Sequence, residues 1–214
     1  EPWNSIAVDR GVGQIALLTA QIWRRGVEKV LALRKAEMDE RGAEIGALIR
    51  ALHVAAAHFV DPAAATENAA ILARPEYCDA PADTIMRAIT DRLSRDAAPI
   101  HYPDFMFQYR EAANFPWRSQ AAWLYSQMTR WDRTPFSPAE AEAAQAVFRP
   151  DVYREALAGS AATLPSSSSK LEGAVTGALG VGAAQGRLIL GKDTFFDRRP
   201  FDPDDIPGYL ASLT

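Results

Sequence analysis

Residues 29–34 read Lys-Val-Leu-Ala-Leu-Arg, and this short run constrains the fold more than any other. Four consecutive apolar residues between two cations predict a β-strand, the best candidate in the chain. A strand apolar on both faces belongs inside a sheet, with neighbours on both edges. Yet the rest of the sequence offers about six helices and only one or two further strand candidates. The neighbours of residues 30–33 are therefore expected outside these 214 residues. The opening Glu1-Pro2-Trp3-Asn4 points the same way, because such a cluster normally has something in front of it. The sequence is expected to be the later part of a longer protein.

Helical spacing is clear elsewhere. Ile45, Leu48, Ile49, Leu52, Ala56 and Phe59 fall on one face at intervals of three and four. Asp61 before Pro62, Pro138 and Pro150 mark helix starts. Trp117, Ala121, Leu124, Met128 and Trp131 predict the inner stripe of another helix. A loop rich in aromatics and proline is expected over 94–116. From Gly159 to Gly191 the chain carries seven of its 13 glycines and the run Ser166–Ser169, which reads as a mobile arm. Within that stretch the segment "GRLILG", from Gly186 to Gly191, is a short strand candidate. Phe195, Phe196, Phe201, Tyr209 and Leu210 are the apolar anchors of the C-terminal stretch.

Several functions are disfavoured by residue chemistry. A net charge of −4 without a basic stripe argues against nucleic-acid binding. No apolar run is long enough to span a bilayer as a helix. The single cysteine, Cys78, excludes an internal disulfide and sits among acids that would not activate a thiolate. His53 and His58 are five apart, about 140° around a helix, which is poor spacing for a shared metal ion. His101 stands apart from both, and no carboxylate completes a zinc set. Ser167–Lys170 has the Ser-x-x-Lys spacing of penicillin-binding enzymes without their companion motifs. Gly180, Gly182 and Gly186 miss dinucleotide-loop spacing by one residue. No catalytic residue, metal ligand or cofactor site emerges.

Lys29 carries a sharper alternative to a plain solvated lysine: a cation at the mouth of a cleft. At about 4 Å and an effective dielectric near 20, one unit charge pair is worth about 4 kcal/mol. Micromolar binding needs about 8 kcal/mol. One lysine with backbone N–H groups would hold a small anion.

Six segments together carry a resemblance: "EPWNSIAV", "EKVLALRKAEMDE", "ARPEY", "NFPWRSQAAWLYSQMTRW", "RPDVYREAL" and "FFDRRPFDPDDIPGYLASL". They resemble the C-terminal half of nitrate/nitrite-type substrate-binding proteins of ABC transporters. Bicarbonate-binding relatives and a cytoplasmic nitrate/nitrite sensor are members of that family. The resemblance implies an α/β, helix-rich chain, the C-terminal portion of a two-lobe type II periplasmic-binding-protein-like fold. It implies the end of the second lobe and the crossover in 1–28, the sequence-late part of the first lobe in 29–158, and a flexible arm and C-terminal anchor in 159–214.

It further implies a nitrate or nitrite ligand, with Lys29 against the anion and Glu1, Pro2 and Trp3 beside the cleft. Bicarbonate-binding relatives are expected to carry an acid where Lys29 stands. The implied partner is an ABC permease for a periplasmic or membrane-associated receptor, or an RNA-binding antiterminator for a cytoplasmic sensor. No catalysis, metal or cofactor is implied. A related two-lobe fold that makes a thiamine precursor would need a reactive His or a Cys cluster, which is missing here. A free-standing helical interaction domain is the remaining rival.

Overall fold

The computed structural model describes residues 1–94 and 99–213, so 95–98 of the expected aromatic loop lie outside the described residues. Among the described residues there are ten α-helices and two short antiparallel hairpins. In chain order come α1 (Trp3–Asp9), α2 (Thr19–Ile22), α3 (Lys35–Glu40), α4 (Gly42–Phe59), α5 (Ala65–Leu72) and α6 (Ala82–Ile89). Strands β1 (Arg92–Ser94) and β2 (Pro99–His101) follow, then α7 (Arg118–Arg130), α8 (Pro138–Val147) and α9 (Pro150–Ala156). The chain closes with β3 (Leu179–Val181), β4 (Leu188–Leu190) and α10 (Ile206–Ala211). No single helix among the described residues is long and apolar enough to cross a membrane.

Helix starts follow local chemistry. The Asp61 carboxylate accepts the Ala63 N–H at 2.9 Å and opens a 3-10 turn over Pro62–Ala64, which leads into α5. Ser137 Oγ accepts the Glu140 N–H at 3.4 Å ahead of α8, with Pro138 in the first helical position. Asp205 does the same for α10 through Gly208 at 3.0 Å. Each side chain satisfies an N–H that the first helical turn leaves without a partner.

The chain divides into two compact units. The first comprises Glu1–Ala20 and His53–Arg110. Its core is small, with Ala69, Ala80 and Ile85 buried among Ile6, Leu72, Met86 and Ile89. Cys78 is a half-buried side chain against that core. Arg87 pairs with both Asp9 and Asp83, tying α1 to α6. Strand β1 pairs with β2 in the register Arg92 to His101. The Asp91 carboxylate accepts the N–H groups of Asp104 and Met106, each at 3.0 Å.

The second unit comprises Gln21–Leu52 and Glu111–Thr214. One of its cores gathers Trp23, Ala122, Tyr125, Phe195, Phe201 and Ile206. Another joins Ile45 and Ile49 of α4 to Ala156, Leu157, Ala162 and Leu164. A third sets Phe115 and Trp117 against Leu188 and Leu190 of β4.

Three expectations are corrected here. Residues 30–33 form no strand: the run is extended, without a partner strand, and Val30, Leu31 and Leu33 are exposed. On α7, Trp117 and Ala121 are buried as expected, but Leu124, Met128 and Trp131 face water. The inner face of α7 is made instead by Ala121, Ala122, Tyr125 and Ser126, and Ala122 and Tyr125 share a core with Ala141 of α8. The stretch from Gly159 to Gly191 is folded onto the unit, with Leu164, Val175, Leu188 and Leu190 buried. One of its glycines serves tight geometry: at Gly173, with φ +74°, an added Cβ would meet the Phe195 ring at 2.2 Å.

Candidate ligand-binding site

Glu1, Pro2 and Trp3 stand at the start of α1, in the first unit. Glu1 accepts the Ser5 N–H on its carboxylate at 3.2 Å. Pro2 is buried, and the Trp3 indole is 59% exposed. The other Glu1 carboxylate oxygen, Oε1, and Ser5 Oγ are buried and have no hydrogen-bond partner among the described residues.

Lys29 belongs to the second unit and lies in the extended run after Trp23. Trp23 and Val27 turn into the core, whereas Lys29 is exposed. An ammonium carries three donors and no acceptor. Among the described residues those of Lys29 meet no carboxylate within ion-pair distance.

The most concentrated charge lies elsewhere, at Lys170. Its Nζ donates to Glu172 Oε2 at 2.5 Å and to Asp193 Oδ2 at 2.7 Å. Glu172 is fully buried and also accepts from Ser119 Oγ at 2.6 Å. Asp193 accepts the Val175 N–H at 2.8 Å. Burial disfavours the ammonium, but the charges of Glu172 and Asp193 outweigh it and hold the Lys170 pKa above the ordinary lysine value. Every polar atom of this cluster is spent on its neighbours, so it fastens chain segments and offers nothing to a ligand. Its signal in the sequence was Lys-x-Glu, a spacing that puts both side chains on one face of an extended chain.

The remaining motifs resolve in the same way. Arg154 donates to the carbonyls of Pro165, Ser166 and Ser167 and to Ser168 Oγ, so the serine run is held by one guanidinium. Gly180 sits in β3 and Gly186 in the turn to β4, at φ +70°. His53 stacks beside Tyr109 with ring centres 5.1 Å apart, and burial holds its pKa below the ordinary histidine value. His58 Nε2 lies 3.5 Å from Glu67. Among the described residues no three His, Cys, Asp or Glu side chains converge as a metal site.

Residues 1–74 match the model of the NMT1-like family. The chain is 27% identical, over all of its length, to the nitrate/nitrite binding protein NrtA of Synechococcus elongatus, covering 44% of that protein. It is 31% identical over 73% of its length to the nitrate import ATP-binding protein NrtC of Synechocystis, covering 24% of it. The crystal structure of the periplasmic nitrate-binding protein NrtA from Synechocystis superposes with a TM-score of 0.81 at 26% identity. That superposition covers 100% of this chain and 52% of the other. The chain thus spans about half the length of the nitrate/nitrite-binding relatives it matches. Along its whole length the chain resembles the NrtA-like substrate-binding proteins in sequence, and its helix-rich fold resembles the type II periplasmic-binding-protein fold of NrtA.

Proposed function

We propose that this chain is part of the solute-binding component of an ABC importer for a small oxyanion, nitrate or nitrite, and that it works in the periplasm without chemistry of its own. The observation that carries the reading is the whole-length likeness to NrtA in both sequence and fold. Likeness to nitrate import ATP-binding proteins supports a transporter rather than a sensor, and a permease with its ATPase as partner.

Lys29 is the residue proposed to meet the anion. Its exposed ammonium gives a point charge with three donors, suited to a small flat oxyanion. Excluding water around the pair would strengthen the contact, because the local dielectric falls. Glu1, Pro2 and Trp3 are proposed to shape the neighbourhood of the ligand rather than to hold its charge.

Calorimetric titration of the full-length protein with nitrate, nitrite and bicarbonate tests the reading. The expected result is about micromolar binding of nitrate or nitrite, roughly 8 kcal/mol, with bicarbonate weaker. Lys29→Ala is expected to weaken that binding about tenfold or more, at least about 1.4 kcal/mol. Unchanged affinity in the variant removes Lys29 from the site. Absence of binding by any of the three anions removes the oxyanion reading.

A further inference from the structure

Glu111 holds an uncommon backbone conformation. It is left-handed, at φ 56° and ψ 29°, and Ala112 follows at φ 54°. Residues with a Cβ adopt that conformation rarely and keep it only where surrounding contacts over-determine it. Those contacts converge on the Glu111 carboxylate. Its Oε2 accepts the Gly191 N–H at 2.8 Å and Arg25 Nε at 3.3 Å, and its Oε1 accepts from Arg25 Nη2 at 3.3 Å. The Arg25 and Glu111 side chains are 13% and 26% exposed. Gly191 leaves the carboxylate just enough room, since a Cβ there would stand 2.6 Å from Oε1. Gly191 also follows Leu190, which is buried with Phe115 and Trp117, and comes two residues before Asp193 of the Lys170 cluster. The carboxylate is therefore braced against fixed backbone.

Arg25 is the far end of this brace and stands four residues before Lys29, in the same unit as Glu111 and Gly191. It lies in a turn closed by the Gly26 N–H on the Trp23 carbonyl at 3.1 Å. Backbone bonds from Arg24 to Thr194 and from Phe196 to Ile22 hold the chain just ahead of it. After the turn, Val27 packs against the core. An apolar contact resists withdrawal but sets no direction. A planar guanidinium held through two nitrogens by a braced carboxylate does set one. Four residues span at most about 14 Å even when fully extended, so a swing of the chain at Arg25 carries Lys29 with it. We infer that Glu111 is a positioning residue for the anion: acting through Arg25, with Gly191 as its backstop, it fixes the course of the chain that presents the Lys29 ammonium. The inference rests on the proposed contact between Lys29 and the anion.

A double-mutant cycle, read by calorimetric titration of the full-length protein with nitrate, tests the coupling. Glu111→Gln keeps the side-chain shape and removes the charge that holds Arg25. It is expected to weaken nitrate binding about fivefold or more. In the Lys29→Ala background the same change is expected to cost less than about twofold, because the group it positions is gone. Gly191→Ala, carried through the same cycle, crowds only the far end of the Glu111 side chain and keeps both charges. It is expected to reproduce the loss, and it supplies the answer if Glu111→Gln fails to fold. Wild-type affinity in the folded variants overturns the inference. An equal loss in both backgrounds also overturns it and makes Glu111 a support of the fold at large. If Lys29→Ala by itself binds nitrate like the wild type, the reading of Lys29 as the anion ligand falls and takes the inference with it. If Lys29→Ala weakens binding while Glu111→Gln and Gly191→Ala do not, the inference falls alone.

Discussion

Lys170 shows what one residue can hold together. Its ammonium links Glu172 and Asp193, and the hydroxyl of Ser119 at the start of α7 completes the knot. Around it, Glu172 and Phe201 exchange both backbone hydrogen bonds, at 3.0 and 2.8 Å. Removing the cation leaves two buried carboxylates without their charge partner, a change that costs about 3–5 kcal/mol in comparable settings. Lys170→Met is therefore expected to lower unfolding stability by about that amount in denaturant titrations. The pH dependence has a definite sign. A lysine whose folded pKa is raised contributes fully below its unfolded value, about 10.4, and loses that contribution as pH rises through the higher folded value. Wild-type stability should fall in that alkaline window, and the Lys170→Met variant should lack this component.

At the scale of elements, the sequence spoke most clearly where a helix begins. Asp61–Pro62 and Pro138 mark helix starts as expected, and the structure adds Ser137 as the cap of α8, because a cap is a contact between residues two or three apart and needs no tertiary partner. Ser137→Ala is expected to cost about 1 kcal/mol, readable as a lower denaturant midpoint with an unchanged slope. Helix faces were less legible. Spacing located the stripes on α4 and α7, yet Leu48, Leu52, Leu124, Met128 and Trp131 of those stripes are exposed. Period alone cannot say which part of an apolar arc a neighbour will cover. On α7 the face carrying Ala122 and Tyr125 won, since those residues share a core with Ala141 of α8. The glycine- and serine-rich stretch misled for a similar reason. Its composition suggests mobility, but Arg154, the Lys170–Asp193 pair and the β3–β4 pairing supply contacts that composition does not reveal.

At the scale of the whole molecule, ligand and stability are linked. A ligand that binds only the folded protein stabilises it by about 2.7 kcal/mol when present at a hundred times its Kd. Thermal unfolding of the full-length protein with saturating nitrate or nitrite should show a clearly higher Tm, while Lys29→Ala should shrink that shift at the same concentration. A shift of equal size in wild type and variant would speak against Lys29.

The residues by themselves determined the local features: helix starts, the apolar periods, the short β4, and a resemblance carried by several separate segments. These depend on near neighbours along the chain or on side-chain chemistry that a sequence displays directly. Tertiary structure alone decided which helix faces are covered, that the run after Gly159 is folded down by buried charges, and that Lys29–Leu33 is left as an unpaired extended segment. Those outcomes turn on contacts between distant residues, where burial free energy and hydrogen-bond satisfaction override local preference.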